Sequence, residues 1–164
     1  MALGSNLGDR EAQLQRALDA LRATEGVTVA AVSPIYETDP VGPPPQGPYL
    51  NGVARLATRL DPRALLERLL EIETVCGRTR GATRDAPRTL DLDLLLFGAR
   101  RIDEPDLTVP HPSLHERAFV LEPLCDLAPA VVHPVSGESV EALARRVRDP
   151  AAVRRRGELS PPRV

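Results

Sequence analysis

Apolar residues follow two rhythms along this chain, one helical and one alternating. In the stretch ALGSNLGDREAQLQRALDALRATEG, Leu14, Ala17, Leu18 and Leu21 recur at helical spacing. Asp9 is placed to cap that helix and Gly26 to stop it. A second helix is clearer still. Asp61 caps it, Pro62 takes its first position, and Gly77 ends it. Leu65, Leu66, Leu69, Ile72, Val75 and Cys76 are expected along its apolar side.

The strand signals lie around these helices. ALGSN reads as the tail of a strand, and VTVAAVSPIYETDP as a strand rich in β-branched residues. YLNGVARLATRL alternates and is expected to pair with it as an antiparallel hairpin. Between them VGPPPQGPY carries four prolines and two glycines, which no ladder tolerates, so a stiff functional loop is expected. PRTLDLDLLLFG reads as a central, buried strand, followed by a tight turn at FGARRI into a short one. A further helix is expected from about Leu114, and a last one at ESVEALARRV. The segment 149–164 is expected to be a loosely ordered tail.

The order strand, helix, strand, strand, helix, strand predicts a ferredoxin-like α+β sandwich. Helices would pack on one face of an antiparallel sheet, and the other face would be free to bind. Residues 1–148 are read as a single domain.

Composition narrows the choice of partners. The formal charge is −2, which argues against bulk binding to nucleic acid or to an anionic membrane. Every basic residue is arginine, so any anion site must be built from guanidinium forks. Cys76 and Cys125 are too few and too far apart for a disulfide framework or a zinc site. With no membrane-length apolar run and no signal-peptide pattern, a cytoplasmic chain is expected, acting as a monomer.

Asp91 and Asp93 carry the first chemical signal. Side chains two apart on a strand share a face, roughly 6.5–7 Å apart at Cα. A buried carboxylate pair needs a cation, and hard oxygen ligands with open positions suit Mg²⁺ shared with substrate phosphates. Arg78, Arg80, Arg84 and Arg88 lead directly into that strand, where each alone would read as a solvated loop charge. Together with the carboxylates they form the two halves of a nucleoside triphosphate site. No P-loop or kinase glycine loop is present, so the site must be built from side chains.

His111, His115 and Arg117 follow in LTVPHPSLHERAF. Pro112 breaks the helix a zinc pair would need, so hydrogen bonding to phosphate or sugar is the functional reading, against simple packing for His115. Aromatics are scarce, which singles out Tyr49 and Phe119 as ring faces for a flat heterocycle, against ordinary core packing. Asn51 shares the face of Tyr49 and could pair with a heterocycle edge.

Taken together, ALGSNLGDR, SPIYETDPVG, PYLN, GRTRGATRDAPRTLDLDLLLFG and LTVPHPSLHERAFVLEPL resemble the signatures of the 6-hydroxymethyl-7,8-dihydropterin pyrophosphokinase family. The resemblance runs from about Ala2 to Pro129. It implies transfer of pyrophosphate from MgATP to the pterin hydroxymethyl group, with release of AMP, in folate biosynthesis. By resemblance Asp91 and Asp93 would hold two Mg²⁺ ions, and Arg78 and Arg88 would engage the triphosphate as catalytic residues. Glu73, Arg80, Arg88, Thr108, His111 and Arg117 would bind ATP. Tyr49 and Phe119 would stack on the pterin, Asn51 would bond its edge, and backbone groups of Thr38, Asp39 and Val41 would help read it.

Three departures from the family pattern stand out. Asp85 and Ala86 replace the usual Trp-Gly before the PR-x-x-DLD run, which removes an aromatic and adds a negative charge. Asp106 stands where some members carry arginine. The chain opens at MALGSN, where members carry more strand residues, so either the start codon was called late or the first strand is short. Other readings remain. A DxD glycosyltransferase-like site would need a larger chain. A ligand-binding module could keep the pterin pocket and lack turnover. A nucleic-acid-binding domain fits poorly with the acidic balance.

Overall fold

A computed structural model describes residues 1–40, 42–79 and 86–159. The elements run β1 (Ala2–Ser5), α1 (Arg10–Ala23), β2 (Val27–Val32), β3 (Ile35–Thr38), β4 (Tyr49–Thr58), α2 (Pro62–Val75) and β5 (Asp91–Asp93). Then follow β6 (Ile102–Glu104), β7 (Leu107–Val109), a 3-10 turn (Leu114–Glu116), α3 (Ala118–Leu127), α4 (Val140–Val147) and β8 (Val153–Gly157). The main sheet is antiparallel in the order β5-β1-β4-β3-β8, with β2 on β4 in line with β3. This is the expected ferredoxin-like arrangement, and the caps are those expected. Asp9 accepts from the Ala12 N–H and Asp61 from the Ala64 N–H, each satisfying an otherwise open donor of the first turn.

Several expectations are corrected. The sheet has helices on both faces. Leu3, Leu50, Ala54 and Leu92 pack with α1 and α2, whereas Val53 and Leu95 pack with α3 and α4. The reason is apolar: Val120, Leu121, Leu124, Leu143 and Ala144 need cover, and the second sheet face supplies it. The site lies on that face beside the start of α3, where Phe119 and Val120 border it.

β5 is an edge strand of three residues, not a long central one. Its ladder to β1 ends where Asp93 pairs with Ala2, and Leu94 and Leu95 go on into the core without a strand partner. The 27–40 stretch is two strands, split at Ser33–Pro34, where the proline supplies no N–H. Val75 is 85% exposed although Cys76 after it still packs on the core, because about 3.6 residues per turn put Val75 to one side of the Leu65–Leu69–Ile72 stripe. The helix expected from Leu114 is a 3-10 turn followed by α3, with Arg117 extended between them.

The expected loose tail is corrected at Val153–Gly157. This strand pairs with β3 and covers what would otherwise be an open sheet edge. β6 and β7 form a separate hairpin whose turn holds Asp106 at φ 64°, a left-handed conformation that aspartate tolerates better than most residues.

Candidate active site

The site is laid out by strand register. Asp91 of β5 pairs with Gly4 of β1, Gly4 with Asn51 of β4, and Asn51 with Tyr36 of β3. One transverse row therefore carries a carboxylate, a gap, an amide and a phenol on the same face. The gap is required. A Cβ on Gly4 would sit 2.9 Å from Asn51 Oδ1, so only glycine leaves that amide in place. Asn51 is buried and donates through Nδ2 to Thr38 Oγ1 at 2.7 Å, which leaves Oδ1 over the gap.

Around this floor is a pocket of about 490 Å³. Asp91, Asp93, Arg88, His111 and Arg117 line one part, and Thr38, Asp39, Gln46, Tyr49, Asn51 and Phe119 the other. The Tyr49 hydroxyl donates to Gln46 Oε1 at 3.1 Å, which also accepts from Asn6 Nδ2 at 2.7 Å. Asn6 Oδ1 accepts the Arg88 N–H at 2.8 Å. A single buried side chain thus joins the proline-rich loop to the arginine-bearing one. Arg117 lies over the Phe119 ring, 5.6 Å from its centroid.

The charged side is paired within itself. Arg78 donates to Asp91 Oδ1 at 3.0 Å and lies 2.5 Å from Glu73 Oε2. Arg88 donates to Asp91 Oδ2 at 2.9 Å. Glu73 is almost wholly buried in α2, accepts the Leu92 N–H at 2.6 Å, and so ties the helix to β5. Burial pushes its carboxyl pKa up, against the hydrogen bonds and the arginine that hold it down.

Among the described residues Asp93 makes no ion pair with an arginine, although the charges of Arg117 and Arg88 lie near enough to act on it. Burial, and then the charge of Asp91, push its carboxyl above the usual range. Burial pushes His111 down, so its imidazole is neutral near pH 7. His111 Nδ1 accepts the Ser113 N–H at 3.1 Å, so the neutral ring carries its proton on Nε2, 4.0 Å from Asp93 Oδ2.

Eleven of the expected residues reach this pocket or its arginine network: Thr38, Asp39, Tyr49, Asn51, Arg78, Arg88, Asp91, Asp93, His111, Arg117 and Phe119. Glu73 does not line the wall and acts through Arg78 and Leu92. Thr108 is exposed on β7 and is not part of the wall. Arg80 and Val41, like Arg84 and Asp85, lie outside the described residues. Asn6, Gln46 and Gly4 were not expected. Their only sequence signal was GSN at the end of a strand and a glutamine among prolines.

Comparison with known proteins adds the decisive observation. Residues 1–129 match the family model of 7,8-dihydro-6-hydroxymethylpterin-pyrophosphokinase (HPPK). The chain belongs to this family. It is 49% identical over 144 residues to the 2-amino-4-hydroxy-6-hydroxymethyldihydropteridine pyrophosphokinase of Pseudomonas aeruginosa, covering 88% of each chain. With the enzyme of the same name from Bacillus subtilis it shares 49% over 131 residues, 80% of this chain and 78% of that one. A solved Plasmodium falciparum HPPK-DHPS chain superposes with a TM-score of 0.71 at 13% identity, over 97% of this chain and 49% of that one. That likeness shows the fold, and the chain spans about half of the solved chain. As an HPPK the protein is an ATP-dependent transferase of folate biosynthesis. No helix among the described residues is long and apolar enough to cross a membrane.

Proposed function

We propose that the HPPK reaction, transfer of the pyrophosphoryl group of ATP to the hydroxymethyl group of 6-hydroxymethyl-7,8-dihydropterin with release of AMP, runs in the pocket over Gly4. The observation that carries this is the row Asp91–Gly4–Asn51, which sets a carboxylate and a neutral amide on opposite sides of one side-chain-free floor.

The charged side takes the triphosphate. Asp91 and Asp93 offer hard oxygen donors, and no cluster of three or more His, Cys, Asp or Glu suited to a metal occurs among the described residues. A donor set this small fits Mg²⁺ that completes its shell with phosphate oxygens and water, and two ions are proposed. Bound there, Mg²⁺ would neutralise triphosphate charge and polarise the transferred group. Arg78 and Arg88 exchange Asp91 for phosphate oxygens when the nucleotide arrives. His111 donates from Nε2 to a phosphate oxygen, and Arg117 adds positive charge beside it.

The neutral side takes the pterin. Tyr49 and Phe119 supply ring faces, and Asn51 Oδ1 accepts from a ring N–H. Backbone groups at Thr38 and Asp39 read the remaining edge. The chain carries this out as a monomer in the cytoplasm.

The test is a product assay with MgATP and 6-hydroxymethyl-7,8-dihydropterin, with the nucleotides separated by chromatography. AMP forms in step with pterin diphosphate, and Asp91→Asn lowers the rate by about 10³-fold or more. ADP as product would replace pyrophosphoryl by ordinary phosphoryl transfer. Tight pterin binding without AMP would make this chain a binding module.

A further inference from the structure

The last strand of the main sheet bears an arginine run, Arg154, Arg155 and Arg156, beyond the residues matched by the family model. Arg154 is the cross-strand partner of Glu37 on β3. Its guanidinium spans the two oxygens of Asp39, at 3.1 and 2.9 Å, and lies 3.7 Å from Glu37 Oε1. From the other side Arg10, the first residue of α1, donates to Glu37 Oε2 at 3.1 Å and to the Pro48 carbonyl at 2.7 Å. Arg156 approaches the same carboxylate at 4.0 Å.

Asp39 opens the proline-rich connection and Pro48 closes it. One largely buried carboxylate, Glu37, thus links the arginine holding the start of that loop to the arginine holding its end. We propose that Arg10, Glu37 and Arg154 form a clamp that positions the proline-rich loop over the pterin side of the pocket.

An isolated exposed ion pair contributes little, but a network with a bidentate arginine is the exception. Here three arginines from two elements converge on Glu37, whose side chain is 15% exposed. The residues the loop presents are Asp39, Pro40 and Gln46, and Tyr49 follows it directly. Prolines cannot anchor the loop through backbone N–H groups, so side chains hold it: Asn6 and Tyr49 at Gln46, and the arginines at its two ends. The clamp touches neither aspartate of β5 nor the arginines that pair with them. It is therefore a set of positioning residues for one substrate, and this reading rests on the pterin side being assigned as above.

Two measurements test it. Hydrogen–deuterium exchange of the Gly42, Gln46 and Gly47 amides, read on the free protein, is independent of activity. Exchange there rises about 5-fold or more in Arg154→Ala and Glu37→Ala and is unchanged in α2 and β5; Arg154→Lys, which keeps the charge and loses the fork, falls between. Unchanged exchange at the loop in folded Arg154→Ala overturns the clamp. Exchange raised equally throughout both variants also overturns it, since the contacts would then serve stability alone.

Steady-state kinetics gives the second reading. The pterin KM rises about 5- to 20-fold in both variants, whereas the ATP KM and kcat stay within about 2-fold. A fall in kcat at unchanged pterin KM would overturn the substrate-positioning role. Absence of AMP formation by the unmodified protein would instead count against the activity reading, and the exchange result would still decide the clamp.

Discussion

On one side of Gly4 the pocket wall is charged and occupied with itself. Asp91 has both oxygens engaged by Arg78 and Arg88, and Glu73 holds Arg78 from behind. On the other side the wall is neutral and already in place. Asn51 is fixed by Thr38, Tyr49 is fixed by Gln46, and Gly4 leaves the floor clear. The first half must exchange partners before it can hold an anion, whereas the second needs only to receive a flat ring. Charge develops on the triphosphate in the transition state, whereas the pterin ring is held alike before and during the reaction. The charged half should therefore govern kcat and the neutral half the pterin KM.

After Asp91, the largest effect expected on this comparison is at Arg88. Arg88→Ala removes a donor aimed at the developing negative charge and should lower kcat by about 10²–10³-fold. Pterin affinity, measured by titration with the nucleotide absent, should stay within about 2-fold. An unchanged kcat with a raised pterin KM would erase the division between the halves.

Asn51→Ala comes next. It removes one buried hydrogen-bonding group on the pterin side and leaves Thr38 Oγ1 without this partner. A loss of about 1.4–2 kcal/mol corresponds to a pterin KM raised roughly 10- to 30-fold, with kcat changed far less. Equal losses in kcat and in kcat/KM would show Asn51 acting only in the transition state, and the comparison would need redrawing.

Much of this division was legible in the chain. DLD with arginines just ahead of it, and YLN after a proline-rich loop, name the charged and the neutral side separately. Local signals served because both are short motifs on single strands. What joins them was not legible. The Asp91–Gly4–Asn51 row depends on register among three strands far apart in sequence, and no local pattern sets it. Glu73 was implied as an ATP-binding residue by the resemblance alone, and no local pattern marked the contact it makes: it is buried in α2 and accepts a backbone N–H of β5. The tail looked loose because terminal segments usually are. β3 nevertheless had an open edge, and ladder hydrogen bonds with Glu37 and Asp39 opposite the arginines made it a strand. The long strand expected at 87–98 shrank to three residues because its ladder ends with the register of β1.

The smallest effect expected is on stability, and it separates the two carboxylates of the charged half. Asp91 is bonded by two arginines, whereas Asp93 forms no arginine ion pair among the described residues, and burial with the charge of Asp91 raises its carboxyl pKa. A carboxyl whose pKa is raised on folding holds its proton more tightly in the folded state. Its stabilising contribution is complete below the ordinary aspartate value near 3.8 and is lost as pH rises through the raised value. At neutral pH the ionised group therefore costs stability. Asp93→Asn should raise Tm at pH 7.5, by about 1–3 °C given the partial exposure of this side chain, and the gain should vanish near pH 4. Thermal melts of both proteins across that range, without nucleotide or metal, measure it. A gain of equal size at both ends would mean that packing, not charge, sets the difference, and Asp93 would then be no less settled than Asp91. A gain confined to neutral pH would leave Asp93 as a position where the folded chain keeps an incompletely compensated charge, which a cation arriving with the triphosphate would stabilise.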